Sequence, residues 1–355
     1  MSDEFMRAWA ERIRAASEQG VRLCIRGGGS KDFYGNAPAG QVFDTANHAG
    51  IVAYEPTELV LTARCGTRLT EIEQALAAKG QMLAFEPPHF GANATIGGCV
   101  AAGLSGPRRA SAGACRDHVL GVRLMDGRGR ALAFGGQVMK NVAGYDVSRV
   151  IAGSLGTLGV ILEVSLKVMP LPERERTIVR PMTQAEAIDA LSWLAGRSYP
   201  VSASAWVDEA LYLRLSGAER VLAPAAGALG GDTLDDSEAS AFWLGVREQQ
   251  SPFFANANSL WRLSIRPTEE PIPLPGTWML EWHAALRWLR TDASEDEVRE
   301  SARRAGGHAT LFRSADSSAA AFTRPGATEL GIMKGVKEAL DPHGIFNPGR
   351  LYPDF

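Results

Sequence analysis

Gly27-Gly28-Gly29-Ser30, Ala94-Thr95-Ile96-Gly97-Gly98 and Gly153-Ser154-Leu155-Gly156-Thr157-Leu158-Gly159 are the stretches of this chain whose residue types and spacing could do chemistry. Each sets a hydroxyl beside glycines. Glycine lets the backbone take φ > 0 and approach a ligand closely, so that successive amide N–H groups face an anion. Taken singly, each stretch reads as a tight turn before it reads as a site. Three of them within residues 27–159 fit a chain wrapped around a long phosphorylated ligand, with separate loops for phosphates, sugar chain and ring. The first is not a Walker loop, because no G-K-[ST] follows at the required spacing, and the G-x-G-x-x-G of a dinucleotide turn is absent too.

Other reactive residue types are scattered. His89 and His118 fall in loops of the first half, and His283 and His308 in the second; all four read as structural or surface histidines before they read as bases. His343 sits in a turn before Asn347. Arg108 and Arg109 could steer an anion or form a solvated pair. Cys24, Cys65, Cys99 and Cys115 show no C-x-x-C spacing and no paired histidine, which leaves them as buried thiols in a reducing compartment and indicates no metal site. Trp282 and Trp288, spaced with Leu286 and Leu289, form a packed element or part of a partner surface.

The elements that must position the clusters follow from periodicity. Phe5, Trp9 and Ile13 recur every four residues as a helix, and the alternation at residues 21–26 is a strand running into the first cluster. A strand at 58–63 precedes a helix opened by a Thr70-x-x-Glu73 capping box, with Leu69, Ile72 and Leu76 facing inward. Residues 91–159 hold fifteen glycines among short apolar runs, including 119–124 and 131–134, which predicts strands and turns with little helix. Residues 160–168 are a strong strand. Beyond Pro170–Pro181 the pattern predicts helices at 183–195, 237–250 and 294–305, and strands at 201–207, 210–215, 259–265 and 278–284, with 223–231 as a surface loop.

Composition agrees with two regions. The chain has 355 residues, net charge −3, 45% hydrophobic and 22% charged residues, which excludes disordered and strongly basic nucleic-acid-binding classes. Of the 38 glycines, 24 precede residue 171, whereas seven of the eight tryptophans lie at 193–288. The N-terminus lacks the apolar core of a signal peptide, and no apolar run is long enough for a membrane span. A cytoplasmic protein is expected, with attachment to a membrane through partners left open.

The order IRGGGS at 25–30, PTELVLTARCGTRLTEIEQAL at 56–76, ATIGGCVAAGLSGPRRASAGACRDHVLGVRLMDGRG at 94–129, KNVAGYDVSRVIAGSLGTLGVI at 140–161 and DPHGIFNPGRLYP at 341–353 resembles the vanillyl-alcohol oxidase/p-cresol methylhydroxylase (PCMH) type of FAD-binding fold. Within it, the chain is similar to the FAD-binding E subunits of bacterial glycolate oxidase. The resemblance implies an α+β fold: an FAD domain at 1–172 (subdomains about 1–52 and 53–172), an α+β cap at 173–330, and a segment at 331–355 returning to the flavin. It assigns Arg26, Gly27, Gly28, Gly29 and Ser30 to the FAD pyrophosphate. Thr95, Gly97, Gly98, Ser105 and Gly106 fall to the pyrophosphate and ring side, and Gly156, Thr157, Gly159 and Val160 to the adenine half. Asn347 and Arg350 fall near the ring.

Ser30 stands where covalent members of the superfamily carry a flavin-bonding histidine, so the expected FAD is dissociable. The implied partners are a D-type flavoprotein and an F-type iron–sulfur subunit, and the implied reaction is oxidation of glycolate to glyoxylate. The cap lacks the His-Gly-Asp-Gly stretch of the catalytic relatives, with only Glu281-Trp282-His283 and Gly306-Gly307-His308 near it, and Leu155 replaces the acid of their Gly-Ser-Glu-Gly turn. A subunit that handles substrate or relays electrons, a scaffold built on a flavin fold, and a free-standing D-2-hydroxyacid dehydrogenase all remain open. No catalytic residue is assigned.

Overall fold

The computed structural model describes residues 2–136, 146–255, 259–316 and 319–355; the first six residues of the 140–161 motif therefore lie outside the described residues. Leu23–Arg26 runs parallel to Gln41–Asp44. The opening helix, Ser2–Gln19, sets Trp9 edge-on to Phe43, their ring centroids 5.2 Å apart, and buries Ile13 fully. Phe5, on the same helical stripe, is instead 40% exposed and rests edge-on against Trp9.

An antiparallel five-stranded sheet comes next, in the order Ile51–Glu55, Val60–Arg64, Val160–Lys167, Val119–Met125, Ala131–Gly135. Val160–Lys167 is central and buried at six of its eight positions, as expected for a strand covered on both faces. Its core also takes in Leu340, Ile345 and Phe346 from the far end of the chain. That return brings Asn347 to the first strand.

Residues from Arg174 onward build a second, eight-stranded antiparallel sheet. Its order is Asp232–Thr233, Arg174–Pro181, Ala210–Gly217, Val201–Val207, Thr277–Glu281, Leu286–Arg290, Ser259–Ser264, His308–Ser314. Strand alternation sorts its side chains. Ala203 and Ala205 face a core shared with Tyr34, Ala102, Leu104 and Leu155 of the first half, while Trp206 faces the helices Gln184–Ala195 and Glu219–Leu229. Helix Glu295–Arg304 covers the sheet's other end through Val298 and Ala302.

Four sequence expectations are corrected. The Gly/Ala stretch at 223–231 is mostly helix, Glu219–Leu229, because its alanines and leucines make one apolar face of Leu222, Ala225, Ala226 and Leu229 that outweighs Pro224 and Gly227. The helix at Leu69–Ala77 has no Thr70 capping box; Arg68 is an extended N-cap with no side-chain bond, since Leu69 N donates to Ala94 O and ties the helix start to the second glycine cluster. Residues 91–159 contain four short helices, Ile96–Ala102, Arg109–Ala112, Cys115–His118 and Val147–Ile151, which glycine-based reading misses because they pack through only one or two turns. Finally, the strand expected at 278–284 ends at Glu281, and Trp282, His283 and Ala284 turn back through three consecutive positive φ angles.

Candidate functional site

The first strand ends in a groove. Arg26 through Ser30 line it, together with Lys31, Thr95, Gly98, Leu155, Asn347 and Arg350. Among the described residues, no protein acceptor takes the amide N–H of Gly27, Gly28, Gly29 or Ser30. Consecutive donors without a protein acceptor at the end of a strand are a backbone arrangement that suits an anion. Gly29 has φ +70°, which the turn requires. Gly27 and Gly28 are glycine for another reason: a Cβ on either would collide with the second cluster, at Thr95 Oγ1 and at the Asn93 carbonyl respectively.

The second cluster enters as a helix start. Thr95 is the extended N-cap of Ile96–Ala102 and accepts from Gly98 N at 3.3 Å. Gly98 faces the groove, and a Cβ there would meet nothing nearer than Thr95 Oγ1 at 3.3 Å. Gly97 points the other way, where a Cβ would press on Cys65 at 2.6 Å. Lys31 adds a cation that sequence reading did not single out. Its Nζ donates to His89 O at 3.2 Å and reaches Ser30 Oγ at 3.4 Å, has no carboxylate in ion-pair range, and is lowered in pKa by burial.

Asn347 and Arg350 reach the groove but are committed to protein. Asn347 accepts from Ile25 N and donates to Leu155 O, both at 2.6 Å. Arg350 donates to the carbonyls of Asn36, Lys31 and Asp32, stapling the loop that follows the first cluster. Arg26, 48% exposed at its side chain, pairs with Asp32 at 2.6 Å.

The remaining residues of the sequence assignment lie elsewhere. Thr157 is buried, donates to Ser154 O at 2.7 Å, and its carbonyl accepts from Lys337 Nζ at 2.8 Å. Gly156 lies under Asn347, and Gly159 and Val160 pack on Leu124 and Met125 in the five-stranded sheet. Ser105 and Gly106 line a second cavity with Phe90, Gln249, Arg262, Glu281, Trp282, Trp288 and Phe312 of the second sheet and its neighbouring loops. There Gly106 O accepts from Trp282 Nε1 at 3.0 Å, and Glu281 accepts from Trp288 Nε1 at 2.7 Å. Burial raises the Glu281 pKa to about 7.

Sequence reading also missed the joint between the halves. Glu86, at φ +47°, binds Arg108 through its backbone N–H and Arg214 at 2.8 Å, and both arginines reach Glu175. The only sequence signal was the Arg108–Arg109 pair. Arg108 is buried in this network rather than solvated. His118 is buried with both ring nitrogens near backbone carbonyls, and the four cysteines are free and buried. Among the described residues no cluster of three or more His, Cys, Asp or Glu could hold a metal ion, and no helix is long and apolar enough to cross a membrane.

Comparison with known proteins extends this geometry. A family model for an FAD binding domain matches residues 7–135, and one for the C-terminal domain of FAD linked oxidases matches residues 317–351. Alkyldihydroxyacetonephosphate synthase, solved in two crystal forms, shares the fold with a TM-score of 0.65 over 96% of this chain and 74% of its own, at 15% and 14% identity. The fold and the FAD-binding match thus define a PCMH-type FAD-binding protein.

The chain is 44% identical to glycolate oxidase subunit GlcE of Escherichia coli (strain K12) over 99% of its own length and 98% of that protein's, and it belongs to that family. Likeness to glycolate oxidase subunit GlcD of Bacillus subtilis (strain 168) is 31% over 47% of this chain and 36% of GlcD. For the D-lactate dehydrogenase of Archaeoglobus fulgidus it is 28% over 54% and 43%.

Proposed function

We propose that this chain is the E-type subunit of a glycolate oxidase, holding FAD non-covalently and taking part in the oxidation of glycolate to glyoxylate with electrons passed to an acceptor. The observation that carries it is the row of four unpaired amides at 27–30, backed by Lys31, in a chain that matches a GlcE along its whole length. Bound FAD would supply the two-electron acceptor. The chain's own groups would hold it: Arg26 through Ser30 take the pyrophosphate, with Thr95, Gly97 and Gly98 beside it. Ser105 and Gly106 mark the ring side, whereas Gly156, Thr157, Gly159 and Val160, which the resemblance gives to the adenine half, are buried against Asn347 and the five-stranded sheet. Asn347 and Arg350 close the groove by fixing its walls.

On this reading residues 1–172 form the flavin domain, 173–330 the cap, and 331–355 the returning segment. The partners are a D-type flavoprotein and an F-type iron–sulfur subunit, in the cytoplasm, with any membrane contact made through them.

A scaffold role is the second reading. It is favoured by Leu155, an aliphatic side chain in the groove where catalytic relatives carry an acid, and by the complete use of Asn347 on protein partners.

One experiment separates the readings. The purified chain is examined for a flavin band released on denaturation, then mixed anaerobically with glycolate. Retained flavin that bleaches supports substrate oxidation on this chain, retained flavin that does not bleach supports the scaffold, and absence of flavin overturns the proposal.

A further inference from the structure

Glu248 closes the C-terminal end of helix Asp236–Arg247, in the second half of the chain, and reaches into the first half. Its carboxylate accepts from the backbone N–H of His89 at 3.1 Å and of Phe90 at 2.8 Å. Those two residues in turn hold Lys31, whose Nζ donates to His89 O at 3.2 Å and lies 5.6 Å from the centre of the Phe90 ring. One dipeptide thus carries an acid on its amides and the groove's cation on its carbonyl and ring.

The end of a helix is a poor place for a carboxylate, because the last turn carries the negative end of the dipole. Arg247 Nε, at 2.9 Å, offsets part of that cost. The Glu248 side chain is only 9% exposed, and a carboxylate so buried persists through its hydrogen bonds and charge partners. Phe90 sits at φ +53°, a conformation that a bulky residue keeps only where its surroundings enforce it. Glu248 enforces it from one side. From the other, Glu73 of helix Leu69–Ala77 places Oε1 3.1 Å from His89 Nε2, and Arg247 ties Glu73 to the same corner at 3.6 Å.

Lys31 needs such a device. A lysine stem is flexible and tends to carry its charge out to water. Among the described residues this ammonium has no carboxylate in ion-pair range, and burial lowers its pKa. Held by His89 O and the Phe90 ring, it stays 3.4 Å from Ser30 Oγ, in the groove that residues 26–30 line.

We propose that Glu248 is a positioning residue for the flavin phosphates: acting through the His89–Phe90 backbone, it fixes Lys31 at the anion end of the groove. Cofactor affinity is then set in part by a residue outside the groove, in the other half of the chain. The inference rests on reading the groove as the FAD site.

The test measures FAD dissociation from the full-length chain by flavin fluorescence at low and high salt, with melting curves to establish folding. Lys31→Met should weaken FAD about tenfold and flatten the salt dependence, because a charge facing the phosphates is gone. Glu248→Ala should act in the same direction on both readouts, and Glu248→Gln should recover part of the loss, since its amide oxygen still accepts an N–H. In the Lys31→Met background Glu248→Ala should cost little more, as expected of two residues that act as one unit. Arg214→Met, at the other joint between the halves, should leave the affinity and salt dependence of the folded chain unchanged.

Additive losses in the double variant, or a Glu248→Ala chain with wild-type affinity and salt dependence, overturn the proposal. So does an equal loss in Arg214→Met, because the effect would then come from docking of the halves alone. Should Glu248→Ala fail to fold, the affinity and salt dependence of Glu248→Gln decide. A chain that takes up no FAD defeats the reading of the groove and this inference with it, whereas a chain that holds FAD independently of Glu248 defeats the inference alone.

Discussion

Asn347 is bonded to Ile25 across 322 positions of sequence, its Oδ1 accepting the Ile25 N–H at 2.6 Å. Through its Nδ2 it also holds Leu155 O, so one side chain from the returning segment fixes both the strand that feeds the first glycine cluster and the turn of the third. Its φ of +41° suits asparagine, which tolerates the left-handed region better than most residues. Replacement by alanine orphans a donor and an acceptor, each costing about 1–3 kcal/mol when buried. Asn347→Ala should therefore lose about 2–4 kcal/mol in urea unfolding and release FAD faster than the wild type. An unchanged urea midpoint together with unchanged flavin retention would show that the clamp is incidental.

The glycines of the groove separate into two kinds, and substitution should distinguish them. Gly28 is closed off by the Asn93 carbonyl, so Gly28→Ala forces the two loops apart. Gly98 opens on the groove, and its added methyl meets Thr95 Oγ1 at 3.3 Å with little else near. Gly28→Ala is expected to lower the melting temperature and FAD retention together. Gly98→Ala should keep the melting temperature of the FAD-free chain within a few degrees while weakening FAD binding severalfold. Fluorescence of released flavin on dilution, set beside melting curves of the stripped protein, reads both quantities.

How far the sequence carried these conclusions depends on the range of the interactions involved. Local signals were legible: the strand into Gly27, the Val160–Lys167 run, and the apolar pattern that predicts helices at 183–195 and 294–305. Thr95 could be placed beside Gly98 because three residues separate them. Lys31 was adjacent to the first cluster and still went unnoticed, since its meaning comes from burial beside His89 and Phe90, far along the chain. Glu86 had no local signature, because its partners Arg108 and Arg214 converge only when the second sheet docks. Glycine density at 91–159 misled for a related reason: Ile96–Ala102 is helical despite Gly97 and Gly98, the first of which is required by its close packing on Cys65.

The Glu86 joint should behave as a coupled network. Arg214 is 6% exposed at its side chain and contacts Glu86 at 2.8 Å and Ser202 Oγ at 3.1 Å. Arg214→Met removes a charge from a buried pair and should cost about 3 kcal/mol at neutral pH, the lower end for such deletions because Arg108 remains on Glu86. Combining it with Glu86→Gln should cost less than the sum of the two changes. Burial pushes the Glu175 pKa upward, but Arg214 and Arg108 outweigh it and hold the carboxyl below its ordinary value. A depressed carboxylate stabilises the fold above its unfolded pKa and loses that contribution as pH falls. The wild type should therefore lose more stability than Arg214→Met on going from neutral pH to below 4.5, as read from urea midpoints at each pH. Because Glu175 is 38% exposed, solvent screening makes this acid-sensitive part a minor share of the total.

Glu281 should show the opposite dependence. Desolvation is the larger effect on this carboxyl, and the Trp288 N–H at 2.7 Å only partly opposes it, so its pKa stands at about 7 against an ordinary 4.5. The folded chain therefore holds a proton that the unfolded chain releases. Below pH 4.5 both states are protonated and burial carries no ionic penalty; from there up to about 7 the unfolded chain ionises while the folded chain keeps its proton, so stability falls across that window and levels off above it. A shift of this size corresponds to about 3 kcal/mol between the two limits. Glu281→Gln keeps an oxygen for Trp288 Nε1 and removes the titration. The variant should match the wild type below pH 4 and exceed it by up to about 3 kcal/mol at pH 8.5. Denaturant unfolding of both chains across that range would measure the gap, and two parallel stability curves would mean that Glu281 ionises freely in the folded protein.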